Sequence, residues 1–340
     1  MLSKYPRLIL ASLTIMACLS LAACSSDGKT ETVSGRTTRP EGVPADFPNK
    51  PIEIAHAWPA GSATEAFVRI VMDDIKKKEN WDNGFTIGFH EGASGQIGWS
   101  YMANAKPDGY VIGIAQGSSM INPAAGLTDD YGLDKFTYIS NMMTIPGAIG
   151  VTPDSKYKSL ADLVEAALAA PGEISVATGG MTTSDGIAVG QVELATGCKF
   201  NIVPAGDSEA IPMMLGGFVD CAWLNVDDFT SYVEAGEAVV IATGDSERAQ
   251  SAPDVPTFTE QGIEVVQANM RTIVGPEDMD ESIRQYLEDC FIASMNDPEV
   301  QEKAKNLNLP YKIKTGSETY QDFSDLYNKL KEQWEVQPWQ

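Results

Sequence analysis

Histidine and positive charge are what this sequence has least of. Two His occur among 340 residues, and 24 Lys plus Arg stand against 47 Asp plus Glu, a formal charge of −23. Two imidazoles cannot build a three-histidine metal cage, and neither a metal nor a cofactor is expected. Without a basic face to displace phosphate counterions the chain is not a nucleic-acid binder, and its acidity also opposes docking on anionic lipid. Five Cys with no Cys-x-x-Cys spacing do not make a disulfide framework. Nucleophile elbow, P-loop and dinucleotide fingerprint are all missing in the context they require. The two imidazoles, His56 and His90, fall in no nucleophile motif, and both are expected to be structural, with a ligand or supporting role for His56 as the alternative. An enzyme is therefore not expected. What remains is 43% apolar and 21% charged, a globular composition, at a length that favours two domains over one.

No apolar run is long enough to span a bilayer. Leu8–Leu21 is fourteen residues, where a spanning helix needs about 20. Preceded by Lys4 and Arg7 and followed by Leu21-Ala22-Ala23-Cys24, it reads as a signal peptide over residues 1–23. The Leu-Ala-Ala-Cys ending resembles the lipobox of bacterial lipoproteins, which implies cleavage before Cys24 and lipidation of that residue. Cleavage removes two cations and no acids, moving the charge from −23 to −25. Residues 24–46, rich in Ser, Thr, Gly and Pro, read as a flexible tether. The mature chain is then expected outside the cytoplasm, held to a membrane by lipid. Cys198, Cys221 and Cys290 are expected as buried free thiols, a Cys198–Cys221 bridge being the alternative outside the cytoplasm.

From Lys50 onward, short apolar runs alternate with amphipathic stretches. Ile52–Ala57, Tyr110–Ala115, Ile174–Ala177, Cys221–Leu224 and Val239–Ala242 read as strands, each near a helical pattern. Continuous apolar strands alternating with helices give an α/β protein whose parallel sheets are covered on both faces. In such sheets ligands sit beyond the carboxyl ends of strands. Two loops there are Gly-containing, rich in hydroxyls and followed by helix: Trp58-Pro59-Ala60-Gly61-Ser62-Ala63-Thr64-Glu65 and Thr178-Gly179-Gly180-Met181-Thr182-Thr183-Ser184-Asp185-Gly186. Ser62-x-x-Glu65 is a capping box and Thr182-x-x-Asp185 a variant of one, so each also reads as an ordinary helix start. A helix start nevertheless presents unpaired N–H groups and about half a positive charge, which is an anion site. Neither loop, nor Gln116–Pro123, contains Lys or Arg. The expectation is an acid gripped by amides and hydroxyls alone, with Trp58 and Met181 in contact.

Phe47-Pro48-Asn49-Lys50-Pro51-Ile52, the Pro59-Ala60-Gly61 loop, Gly92-Ala93-Ser94-Gly95-Gln96-Ile97-Gly98 and Ala105-Lys106-Pro107-Asp108-Gly109-Tyr110 follow one another in order. They are joined by Ile121-Asn122-Pro123, Leu215-Gly216-Gly217-Phe218-Val219-Asp220, Pro253-Asp254-Val255-Pro256-Thr257 and Asp297-Pro298-Glu299-Val300. This ordered set resembles the substrate-binding proteins of tripartite tricarboxylate transporters, the Bordetella uptake receptors, over about residues 47–305. The resemblance implies a two-lobed, periplasmic-binding-protein-like fold with a mainly parallel sheet in each lobe. Residues 47–145 with 268–340 would form lobe 1 and 146–267 lobe 2. It also implies a monomer that delivers a small organic carboxylate to large and small membrane subunits. Contacts would come from the positions matching Ser62–Thr64, Ser118–Ser119 and Thr182–Ser184. The full candidate set is Trp58, Ala60, Gly61, Ser62, Ala63, Thr64, Ser118, Ser119, Gly180, Met181, Thr182, Thr183, Ser184, Ala205, Asp207 and Asn225. Ser62 stands where the family usually has glycine, and Val203-Pro204-Ala205-Gly206 lacks the Tyr-Lys that commonly follows the proline. Asp207 and Asp227-Asp228 lie in loops of the same kind, either as solvated residues or as partners for an amine. A ligand sensor for a two-component system, or less favourably a secreted enzyme, are the alternatives.

Overall fold

The protein, as a computed structural model, is described over residues 37–121, 132–181, 183–307 and 309–336. The expected signal peptide, Cys24, Asn122-Pro123 and Thr182 lie outside these residues, as do the side chains of Ser94, Ser118, Ser119 and Asp207. No described helix is long and apolar enough to cross a membrane.

The chain opens with β1 (Ile52–His56), α1 (Ala63–Glu79), β2 (Phe85–Phe89), α2 (Gln96–Ala103), β3 (Val111–Gln116) and the short α3 (Gly117–Ile121). β1 lies between β2 and β3, parallel to both. Its burial on both faces, at Ile52, Ile54, Ala55 and His56, explains why it reads as a continuous apolar run. In α1 the buried Phe67, Val71 and Ile75 recur at four-residue spacing and pack on the sheet. Its ends follow the chemistry of helix termini: Ser62 caps the start, Lys76–Lys78 occupy the last turn, and Asn80 closes it in a left-handed conformation.

A second group holds β5 (Ser175–Thr178), β6 (Asn201–Pro204) and β7 (Cys221–Asn225), with β5 parallel to both neighbours. Around it run α4 (Leu160–Ala169), α5 (Ser184–Thr196), α6 (Asp207–Leu215) and α7 (Thr230–Glu234), with β8 (Val239–Thr243) beyond. The parallel sheet expected in each half is thus present in the trios β2-β1-β3 and β6-β5-β7, within a mixed α/β sheet. Two antiparallel strands join the trios. The sixteen-residue β4 (Phe136–Val151) pairs with β9 (Ala268–Pro276) as far as Pro146, then with β7 and β8 from Gly147 onward. β9 in turn pairs with β3. The chain finishes with α8 (Glu281–Met295), α9 (Pro298–Asn306), β10 (Tyr311–Thr315) against β4, and α10 (Gly316–Val336).

Where β4 changes partners, three backbones meet in a ring. Gly147 N–H donates to Gln267 at 2.9 Å, Gln267 N–H to Gly244 at 2.7 Å, and Gly244 N–H to Gly147 at 2.8 Å. A Cβ on Gly147 would fall 1.9 Å from Gln267 Oε1, and one on Gly244 would fall 2.6 Å from the Gln267 carbonyl oxygen. Both positions need glycine because backbones and a bonded amide approach so closely. This ring fixes where β9 begins.

One detail departs from the sequence reading. Residues 37–46, expected as the end of the tether, are packed: Thr37 N–H donates to Glu79 at 2.8 Å, and Arg39 bonds the carbonyls of Pro44 and Phe47 beneath the Tyr286 ring. The reason is a local anchor, Val43 and Phe47 being buried in the core, which a Pro- and Gly-rich stretch conceals. Cys198, Cys221 and Cys290 are buried free thiols, so the alternative Cys198–Cys221 bridge is not formed.

Candidate functional site

The first loop is built around an acid reaching back. Ser62 Oγ accepts from Glu65 N–H at 3.1 Å, while Glu65 Oε2 accepts from Gly61 N–H at 2.7 Å. That bond and then Arg69 hold the Glu65 carboxyl below its ordinary range. Gly61 has φ +99°, a turn conformation that a side chain would strain. His56, at the end of β1, is 1% exposed. Its Nδ1 lies 2.9 Å from the Trp58 carbonyl and 3.1 Å from the Trp58 N–H, and its Nε2 lies 3.5 Å from Ser62 Oγ. His56 is thus a buried histidine with bonded partners, as expected, and those bonds also support the loop.

The second loop repeats the device. Asp185, in the first turn of α5, accepts from Gly179 N–H, as Glu65 does from Gly61. The helix starts one residue later than the sequence suggests, with Thr183 as its N-cap. Thr183 does not accept a helix N–H; its hydroxyl donates to the Gly180 carbonyl at 2.7 Å. Ala205, on the neighbouring loop, donates its N–H to Thr178 at 2.9 Å. Asn225 caps a short 3-10 turn, Val226–Phe229, in a reciprocal box with Asp228.

What brings these parts together is β9. Asn269 Nδ2 donates to Ser184 Oγ at 2.7 Å and to Asn225 Oδ1. Arg271, two residues on and so on the same face of the strand, pairs in register with Gln116, immediately before α3. Its charge acts on His56 and on Asp227. One strand therefore ties the β5, β7, β3 and β1 loops to a common place. Among the candidates, Ser184 and Asn225 are joined directly, and the Trp58–Ser62 loop is reached through His56. Ala60, Ala63, Thr64, Gly180 and Met181 lie in the same two loops.

Arg271 is a cation beside these loops, which the loop sequences alone do not contain. It escaped notice because it sits far along the chain in a strand, not in a loop. The pattern Gln267, Asn269, Arg271, polar at every second position between Ala268, Met270 and Thr272, is the signal that marks this face. Asn269 was missed for the same reason.

A cavity of about 600 Å³ lies elsewhere, behind β9: Ala268 and Met270 line it along with Gln191, Asp245, Lys312 and Lys329. Two of its lysines are paired, Lys312 with Asp245 at 3.2 Å and Lys314 with Asp322. The convergent donors, not the volume, mark the site.

Burial, with a smaller contribution from Arg271, holds the His56 imidazole below its ordinary range of about 6.5. The folded protein thus binds a proton here less readily than the unfolded chain does. Stability from this group is complete above pH 6.5 and is lost as pH falls toward the depressed folded value. His56→Gln is expected to melt closer to the parent protein at pH 5 than at pH 7, read by calorimetry at both values; a constant difference would refute it.

A family model described as the tripartite tricarboxylate transporter family receptor, TctC, matches residues 68–332. A UPF0065 protein in the gbd 5′ region of Cupriavidus necator is 27% identical over 296 residues, covering 85% of this chain and 88% of that one. Among solved structures, a TctC solute-binding protein from Polaromonas superposes with a TM-score of 0.75 at 24% identity, covering 85% of this chain and 99% of that one. A structure from R. palustris, described as holding adipate, superposes at 0.69 with 20% identity, covering 85% and 98%.

Proposed function

The chain belongs to the tripartite tricarboxylate transporter receptor family, and from that membership we propose that it captures a small organic carboxylate outside the cytoplasm and delivers it to the membrane subunits of such a transporter. It acts as a lipid-anchored monomer, tethered through Cys24. Its ligand lies between lobe 1, residues 47–145 with 268–340, and lobe 2, residues 146–267. The change of β4 partners at Pro146 and Gly147, and the start of β9 at Ala268, support those bounds.

The observation that carries the reading is the convergence on β9 of two helix-start loops with Asn269 and Arg271. The adipate held by the R. palustris relative supports an acid as ligand. A micromolar site needs about −8 kcal/mol. Hydrogen bonds to a charged group contribute about 1.5–3 kcal/mol each, and a helix start about 0.3–1. Three or four such contacts with Trp58 packing reach that figure. The overall negative charge opposes an acid only weakly, since screening acts over about 8 Å at physiological salt.

Calorimetric titration of the purified protein with succinate, adipate, citrate, benzoate, aspartate and glutamate tests this. At least one is expected to bind, and Ser62→Phe, which fills the first loop, should weaken that acid about tenfold, or 1.4 kcal/mol. Silence from all six acids, or full affinity in the variant, would reject the site.

A further inference from the structure

The cavity behind β9 takes no part in gripping an acid, and its lining suits a ligand of the opposite charge. Its walls come from both proposed lobes: Gln191 and Leu194 on α5 with Glu264 and Val266 ahead of β9, and Lys312 on β10 with Glu332 on α10. A volume of about 600 Å³ falls within the roughly 300–1,000 Å³ of small-molecule sites, which favour such junctions. Leu194 and Val266 are large apolar side chains left exposed at its mouth, a surface that gains from being covered. Five carboxylates line it against three lysines. Asp245 and Asp322 neutralise two of those lysines, which leaves Glu264, Asp325 and Glu332 facing Lys329 alone at the exposed rim.

The deciding group is Gln333. It lines the cavity and is 3% exposed, and its Nε2 donates to the Ile187 carbonyl at 3.3 Å. Its buried Oε1 accepts from no described residue. A buried acceptor without a donor is costly, and an ammonium supplies three donors and needs no acceptor in return. We propose that this cavity is a second ligand site, for a small organic cation: an ammonium bonded to Gln333 Oε1 and drawn in by the rim acids, with a short aliphatic body against Leu194 and Met270. Its occupant would also be felt on the far side of β9. Ala268 and Met270 line the cavity, whereas Asn269 and Arg271, at the alternate positions, face the other way. Helix α5 is shared too, since Gln191 lines the cavity and Ser184 bonds Asn269 at 2.7 Å. A ligand packed on both elements therefore biases the arrangement of Ser184, Asn269 and Arg271, and such coupling is reciprocal.

Three probes of one chain length test it by calorimetry at neutral pH: hexylammonium, the uncharged hexanol, and hexyltrimethylammonium, a cation without N–H donors. Hexylammonium should bind about tenfold or more tightly than either of the others, the bond to the charged group being the difference. Gln333→Leu should weaken it about tenfold, and Glu332→Gln, on the exposed rim, about twofold, with circular dichroism confirming the fold of each. At saturation, amide hydrogen exchange should slow at Asn269–Arg271 as well as at Gln191–Leu194. No binding of hexylammonium, or equal binding of hexanol, overturns the cation site, and that comparison needs no variant. Equal binding of hexyltrimethylammonium removes the bond to Gln333, and full affinity in both variants places the amine elsewhere; either result overturns the proposal. Exchange unchanged at Asn269–Arg271 overturns the coupling. None of these readouts uses a carboxylate, so failure of the acids to bind would leave this site standing, and its own failure would leave the carboxylate reading intact.

Discussion

Replacing Arg271 with methionine should weaken binding of any carboxylate ligand about a hundredfold, or 2.7 kcal/mol, the largest loss expected from a single side chain in the cleft. Two contributions add. The guanidinium offers five donors in a planar fork that fits a carboxylate, and each bond to a charged group is worth about 1.5–3 kcal/mol. Removing it also leaves the Asp227 carboxyl without the positive charge that acts against its burial, which makes the region more negative toward an acid. Methionine keeps length and apolar stem, and half-buried Arg271 pairs through its backbone with Gln116 and Met143 on either side, so the strand should persist. Titration with the acid found for the parent protein, beside circular dichroism to confirm the fold, measures it. Retained affinity would mean that amides and hydroxyls hold the acid unaided, as the loop sequences alone suggest.

That contrast shows how much a sequence can disclose here. Helix starts are local chemistry: Ser62 and Glu65 are three residues apart, and the box they form is legible from spacing. The first loop, its glycine turn and the strand before it were accordingly all readable. Thr183 was harder, because whether a hydroxyl caps a helix or donates to a nearby carbonyl is a choice made in three dimensions. Asn269 and Arg271 were hardest. The Asn269 partners Ser184 and Asn225 lie 85 and 44 residues away, and β9 meets its neighbours through antiparallel pairing that apolar runs do not announce. The parallel trios were expected because buried strands alternate with helices. The sixteen-residue β4 was not, because residues 136–151 mix Thr, Ser, Asn, Pro and Gly among the apolar positions. Those polar residues are tolerated where their side chains find partners, as Asn141 does with Thr144, Thr272 and the Lys312 carbonyl.

Gly186→Ala should cost the second loop its shape, and with it at least tenfold in ligand affinity, although alanine is ordinarily the better helix former. In an open helix this change gains about 1 kcal/mol. Here a Cβ would stand 2.1 Å from the Gly180 carbonyl oxygen and 3.0 Å from the carbonyl carbons of Gly180 and Met181. These are backbone atoms that cannot rotate aside, and overpacking of this kind costs about 1–3 kcal/mol. The carbonyl cannot simply retreat either, since Thr183 Oγ1 bonds it at 2.7 Å and Thr178 Oγ1 at 3.4 Å. Relief must come from moving the Gly180–Met181 turn or tilting the start of α5, and either shifts Ser184 away from Asn269. The variant should therefore melt several degrees lower and bind weakly. Gly190→Ala in the same helix meets only the end of the Gln333 side chain, at 2.8 Å from Nε2, and should hold its affinity within about twofold, less than 0.5 kcal/mol. Comparing the two by titration and thermal melting separates a loop held by close packing from one held by its capping chemistry alone. Equal affinity in both variants would show that the second loop does not touch the ligand.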